Sequence, residues 1–156
     1  MGVNGHVSEA LWSEVARLTE LSRVGLDIVR DRERVQRTAE IFTPTALVVD
    51  LLRKVPIESF GPGKKVFDPA CGDGQFLAAV KFAKILIWGQ SEQESLGDLF
   101  GIDLLEENVR LCRQRLGGGT IVVGDSLNPQ RIVPGQSDRD RQALTELIQD
   151  SRLSLF

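Results

Sequence analysis

Mostly apolar positions return at intervals of three and four from Ser8 to about Arg37, at Leu11, Val15, Leu18, Leu21 (or Ser22), Gly25 and Ile28 or Val29. That spacing predicts a long amphipathic helix or a broken pair of helices. The next apolar run, "IFTPTALVVDLLRKV", contains Thr43 followed by Pro44. A hydroxyl that can cap and a proline at the first helical position, where its missing N–H is not needed, predict a helix from Pro44 to about Lys54. "FGPGKK" then reads as a turn, Lys65–Phe67 as a short strand, and Gln75–Trp88 as a helix through Phe76, Leu77, Val80, Ala83, Ile85 and Ile87.

The polar stretch "GQSEQESLGD" is expected to be a surface insertion with no assigned role. "LFGID" predicts a second strand, Leu104–Leu116 a helix that ends at Gly117–Gly119, and "TIVVGD" a third strand. "SDRDRQALTELIQD" has the form of a capped amphipathic helix with Ala143, Leu144, Leu147 and Ile148 inward, and "RLSLF" opens a fourth strand. Strands alternating with helices predict an α/β fold: a doubly wound parallel sheet of Rossmann-like type. Residues 1–40 would form an N-terminal helical segment and 41–156 the sheet domain.

Composition narrows the function. A chain of 156 residues, 42% hydrophobic and 26% charged, can close one core without staples. A net charge of −3 excludes a polycation that coats a phosphate backbone, so any DNA contact is expected to be local. The run "VRDRERVQR" interleaves Arg30, Arg32, Arg34 and Arg37 with Asp31 and Glu33, which reads as a solvated face, with DNA contact as the alternative. Cys71 and Cys112 are the two cysteines and lack paired spacing, so neither a disulfide framework nor a zinc site is expected. His6, the single histidine, belongs to a polar N-terminal end rather than to a ligand set. No secretory h-region and no membrane-length apolar run occur, and a cytoplasmic location is expected.

Candidate chemistry gathers at strand ends. In "KKVFDPACGDGQFLAAV" a strand runs into Gly72 and Gly74, which let the backbone approach a ligand closely. A dinucleotide fingerprint needs a third glycine where Leu77 stands, and Asp68 at the strand's end is unfavourable beside a pyrophosphate. A positively charged ligand fits better. Asp103 in "GID" and Asp125 in "GDS" close the next two strands and could accept hydrogen bonds from ribose hydroxyls and an adenine amino group. Cys71 is read as a residue chosen for size, since no nearby base would activate it.

"FDPACGDGQFL" resembles the cofactor motif of adenine-specific (N6) DNA methyltransferases, especially those of type I and related restriction-modification systems. The resemblance covers about Phe42 to Asn128. It implies a class I methyltransferase fold that binds S-adenosyl-L-methionine (AdoMet). Carried over by the motif, Asp68, Ala70, Cys71, Gly72 and Gly74 form the cofactor turn, Thr43 and Pro44 the helix start that closes over the methionine end, Asp103 the ribose carboxylate, and Asp125 the adenine contact.

The family's catalytic tetrapeptide, Asn or Asp followed by Pro-Pro-aromatic, is not found in this sequence, which has no Tyr. The nearest match is Asn128–Pro129, followed by Gln130 and Arg131 where a proline and an aromatic belong, and a simple turn fits it better. The domain is therefore expected to be small or incomplete after its fourth strand, with no target-reading region and with a homo-oligomeric or other protein partner completing the sheet. The leading expectation is an AdoMet-dependent adenine-N6 DNA methyltransferase or its cofactor-binding part. The alternatives are a noncatalytic AdoMet-binding subunit and, on the same sheet type, a nucleotide-dependent oxidoreductase.

Overall fold

The computed structural model describes residues 6–23 and 43–150 and, in the backbone alone, residues 154–155. Helix α1 (Glu9–Leu21) is followed by α2 (Thr45–Leu52) and a 3₁₀ turn (Ile57–Phe60). Then come β1 (Val66–Asp68), α3 (Gln75–Trp88), α4 (Glu92–Gly97) and β2 (Leu99–Asp103). The order ends with α5 (Glu106–Leu116), β3 (Thr120–Val123), α6 (Asp138–Gln149) and β4 (Ser154–Leu155).

The four strands are parallel in the order β3-β2-β1-β4. Val66 pairs with Leu99 on one side of β1 and with Ser154 on the other. Successive strand residues face opposite ways, so the strands feed two cores. On one face Val66, Leu99, Ile121 and Val123 pack with α1, α2, α3 and α5. On the other, Phe67, Ile102 and Val122 meet Leu144 and Leu147 of α6. Helices on both faces make the sheet doubly wound, as the alternation of strands and helices predicts.

α3 is the central helix and is buried nearly all round, including Lys81 and Lys84. Lys84 has no exposed side-chain surface. Its ammonium donates to the carbonyls of Phe60 (3.2 Å), Gly61 (3.0 Å) and Lys64 (2.8 Å) and pairs with Asp98 at 2.9 Å. Burial lowers its pKa, and Asp98 offsets part of that. This lysine ties the approach to β1 to the approach to β2.

Several sequence expectations are corrected. α2 starts at Thr45, with Pro44 at the N-cap (φ −59°, ψ 145°) and no side-chain cap, so the Thr43 hydroxyl does not cap it. The extended ψ keeps Pro44 outside the helix, while its carbonyl accepts from Val48 N–H at 3.1 Å. The helix stops at Leu52 rather than Lys54. α1 buries Trp12, Val15 and Thr19, a face rotated from the predicted stripe, and Leu21 is exposed. The prediction beyond Arg23, including Arg30 to Arg37, falls on residues outside the described ones up to position 42.

The polar stretch after Trp88 is not a plain insertion. It folds as α4 under a reciprocal cap between Ser91 and Glu94, and buries Ser95. α5 starts at Glu106 because the Asp103 carboxylate takes the Leu105 N–H (2.9 Å) in a tight turn of its own. In α6 the Ser137–Asp140 cap is present and Leu144 and Leu147 are buried, but Ile148 is about half exposed. Among the described residues, no helix is long and apolar enough to cross a membrane and no cluster of His, Cys, Asp or Glu could hold a metal ion.

Candidate functional site

Parallel strands bring the ends of β1, β2 and β3 to one edge of the sheet. There the loop after β1 turns through Gly72 (φ 55°) and Gly74 (φ 91°) into the start of α3. A cavity of ≈ 250 Å³ opens at this edge, lined by Thr43, Asp68, Ala70, Cys71, Gly72, Asp73, Gln75, Phe76, Asp103 and Asn108. Its volume is below the ~300–1,000 Å³ usual for a whole small-molecule pocket, so it suits one part of a ligand extended along the strand ends. A larger hollow of ≈ 570 Å³, lined by Lys65, Phe100, Thr120 and Glu146 among others, opens near the start of the strands. It has no glycine turn and no pair of strand-end carboxylates. We therefore assign the site to the smaller cavity.

Asp103 is the keystone of that cavity. One carboxylate oxygen accepts the Gly72 N–H at 2.9 Å, and the other accepts the Leu105 N–H at 2.9 Å and the Asn108 amide at 3.2 Å. The glycine turn is thus fastened to β2, and the carboxylate keeps one lone-pair site, on the oxygen that meets Gly72, for a ligand. Asp68 accepts the Ala70 N–H at 3.1 Å. Burial raises its pKa above the ordinary carboxylate value; the Ala70 bond opposes this, and the Asp103 charge adds to the rise. The lining holds two strand-end carboxylates together with Asp73, and no lysine or arginine.

The glycines divide the work. A Cβ on Gly74 would lie 2.8 Å from the Cys112 sulfur, so Gly74 serves the packing of the loop on α5. Gly72 presents its N–H to Asp103 and lines the cavity. Cys71 is buried, and its thiol is held well above its ordinary pKa by contact with the Cys112 thiol, by burial and by the Asp68 and Asp103 charges. These surroundings disfavour the thiolate, and the residue lines the cavity as well as packing against Cys112.

Asp125 stands apart. The third strand stops at Val123, so Asp125 lies two residues beyond its expected place at the strand's end; its carboxylate turns into its own loop and accepts from the N–H groups of Leu127 (3.0 Å) and Asn128 (3.1 Å) and from Arg131 (3.2 Å). Burial would raise its pKa, but the Asn128 and Leu127 bonds and Arg131 outweigh that and hold it below the usual range. It does not line the cavity, and neither do Asn128 and Pro129. The Asn128 carbonyl accepts the Arg131 N–H at 2.9 Å, so this stretch is a tight turn. Pro44 and Gly74 flank the cavity in sequence without lining it.

Sequence reasoning missed Asn108, which steadies Asp103, and a buried polar group behind the turn. The Arg115 side chain is fully buried and donates to Asp73 (3.3 Å), to the Thr19 carbonyl (2.9 Å), to Ser22 (2.8 Å) and to Gln75. Burial lowers the Arg115 pKa to about 10 against the support of Asp73. The available signal was periodicity, because Arg115 follows Leu111 and Cys112 on the apolar stripe of α5.

Together these features define a parallel α/β domain with an acidic cavity at the strand ends. A family model described as N-6 DNA methylase matches residues 31–117, more than half of the chain. The chain belongs to that family. Searches of curated proteins and of solved structures find no match to it.

Proposed function

We propose that the cavity binds AdoMet and that the chain is the cofactor-binding part of an adenine-N6 DNA methyltransferase. The observation that carries this reading is the cavity wall. It has strand-end carboxylates, no basic side chain, and an Asp68 whose ionisation burial disfavours until a cation arrives. A sulfonium and an α-ammonium suit that wall; a pyrophosphate does not.

Bound there, the cofactor would supply an electrophilic methyl group. Asp103, held by Gly72, Leu105 and Asn108, would accept from one ribose hydroxyl with no need to reorganise. Asp68 would face the cationic amino-acid arm, with Ala70, Cys71 and Gly72 forming the floor and Thr43 the facing wall. Pro44 and Gly74 act by shaping the backbone on either side. Asp125 would reach an adenine amino group only through the oxygen that now meets Arg131, a guanidinium more than half exposed.

A second reading, a noncatalytic AdoMet-binding subunit, is favoured by the placement of Asn128 and Pro129 in a tight turn outside the cavity. No strand among the described residues pairs with the outer edge of β4, which offers a second chain a place to add. DNA contact, if it occurs, is local in either reading.

Calorimetric titration with AdoMet, with NADH as the control ligand, followed by tritiated methyl transfer to unmethylated DNA, tests both readings. Binding with transfer supports the enzyme. Binding with transfer only after mixing with a chain that carries an Asn-Pro-Pro-aromatic motif supports the subunit. Heat from NADH alone would replace both with a nucleotide-dependent oxidoreductase.

A further inference from the structure

The orientation of the Gln75 amide is dictated by its partners. Its Nε2 donates to the Thr43 carbonyl at 2.8 Å and meets the Thr45 hydroxyl at 3.0 Å, while its Oε1 accepts from Arg115. A carbonyl can only accept and a guanidinium can only donate, so the amide has one workable orientation. Gln75 is buried, and Arg115 grips the Thr19 carbonyl and Ser22 at the end of α1 as well as Asp73 in the turn. The path therefore runs from the end of α1 through Arg115 and Gln75 to Thr43, and Thr43 and Gln75 both line the cavity.

We propose that Gln75 and Arg115 form a buried positioning relay that holds the Thr43–Thr45 segment at its place on the cavity wall, and so sets how long the cofactor stays bound. The inference rests on the AdoMet reading of the cavity. A glutamine is needed at this point because a glutamate would satisfy Arg115 but could not donate to the Thr43 carbonyl. Neither residue is catalytic: Arg115 acts through Gln75, and Gln75, itself on the cavity wall, holds Thr43 and Thr45.

Gln75→Glu separates the relay from mere structural support, because it keeps a partner for the buried guanidinium while releasing Thr43. In the full chain, the expected result is an unchanged or higher melting temperature with AdoMet affinity weakened roughly tenfold, mostly as faster dissociation, the size of one lost buried hydrogen bond. Thr45→Ala should weaken binding less. The double variant should bind about as well as Gln75→Glu alone, since both changes cut the same path.

An unchanged AdoMet affinity in Gln75→Glu overturns the relay, as does a loss of affinity that tracks a loss of melting temperature, or fully additive effects in the double variant. Wild-type protein that does not bind AdoMet overturns the cofactor reading first, and the relay with it.

Discussion

The loops after β2 and β3 begin alike, with an aspartate, the last residue of β2 in one case and two residues past β3 in the other, whose carboxylate takes N–H groups from the residues just beyond it. They end differently. Asp103 also takes the Gly72 N–H from the neighbouring strand's loop and so becomes a wall of a cavity. Asp125 closes on Arg131 of its own loop, and that loop carries Leu127, 96% exposed, into solvent. A strand-end aspartate is first of all a turn former. What makes it part of a site is a bond reaching across to the next strand's loop.

The comparison predicts unequal costs. Asp103→Ala should weaken AdoMet binding by about 100-fold, roughly 2.7 kcal/mol, because it removes a ligand acceptor and unfastens the glycine turn together. Calorimetry showing a change of only a few-fold would erase the distinction between the two loops. Gly74→Ala should destabilise the fold by about 2 kcal/mol, from a left-handed backbone combined with the approach to the Cys112 sulfur, as read by urea unfolding.

Asp68→Asn should weaken AdoMet by roughly tenfold while raising the melting temperature of the ligand-free protein by about 2 °C at neutral pH. The sign follows from the raised pKa. The native state carries an ionisation it disfavours, so its relative stability is greatest below the ordinary value of 3.8 and is lost as pH rises through the higher native value. AdoMet affinity should run the other way, falling as pH drops through that native value, and Asp68→Asn should flatten the profile. Asp125→Ala should have the smallest effect on the cofactor, within about threefold, with about 1 kcal/mol of stability lost as the loop's N–H acceptor disappears. A loss as large as that of Asp103→Ala would bring Asp125 into the site.

The sequence was most legible where one residue type answers one physical demand. Periodicity located α3, β2 and α6 within a residue or two of their observed bounds. The glycine turn and Asp103 were legible because strand-end chemistry is local. Asp125's inward turn was not, although its partners are local, because its acceptor sites are taken up by Leu127, Asn128 and Arg131 rather than aimed at the cavity. Three more features escaped because each is decided by a partner distant in sequence. The start of α2 depends on how Gln75 holds Thr43 and Thr45. Lys84 and Arg115 look like surface charges in the chain and are buried in the fold.

Lys84 has one further consequence. By gathering three carbonyls before β1 and the Asp98 carboxylate before β2, it aligns the two strands from their entry ends. Their exit ends need not supply that alignment. A domain built this way is a modular chassis: the turns that receive a ligand can be exchanged or lengthened while the frame beneath them keeps its registration.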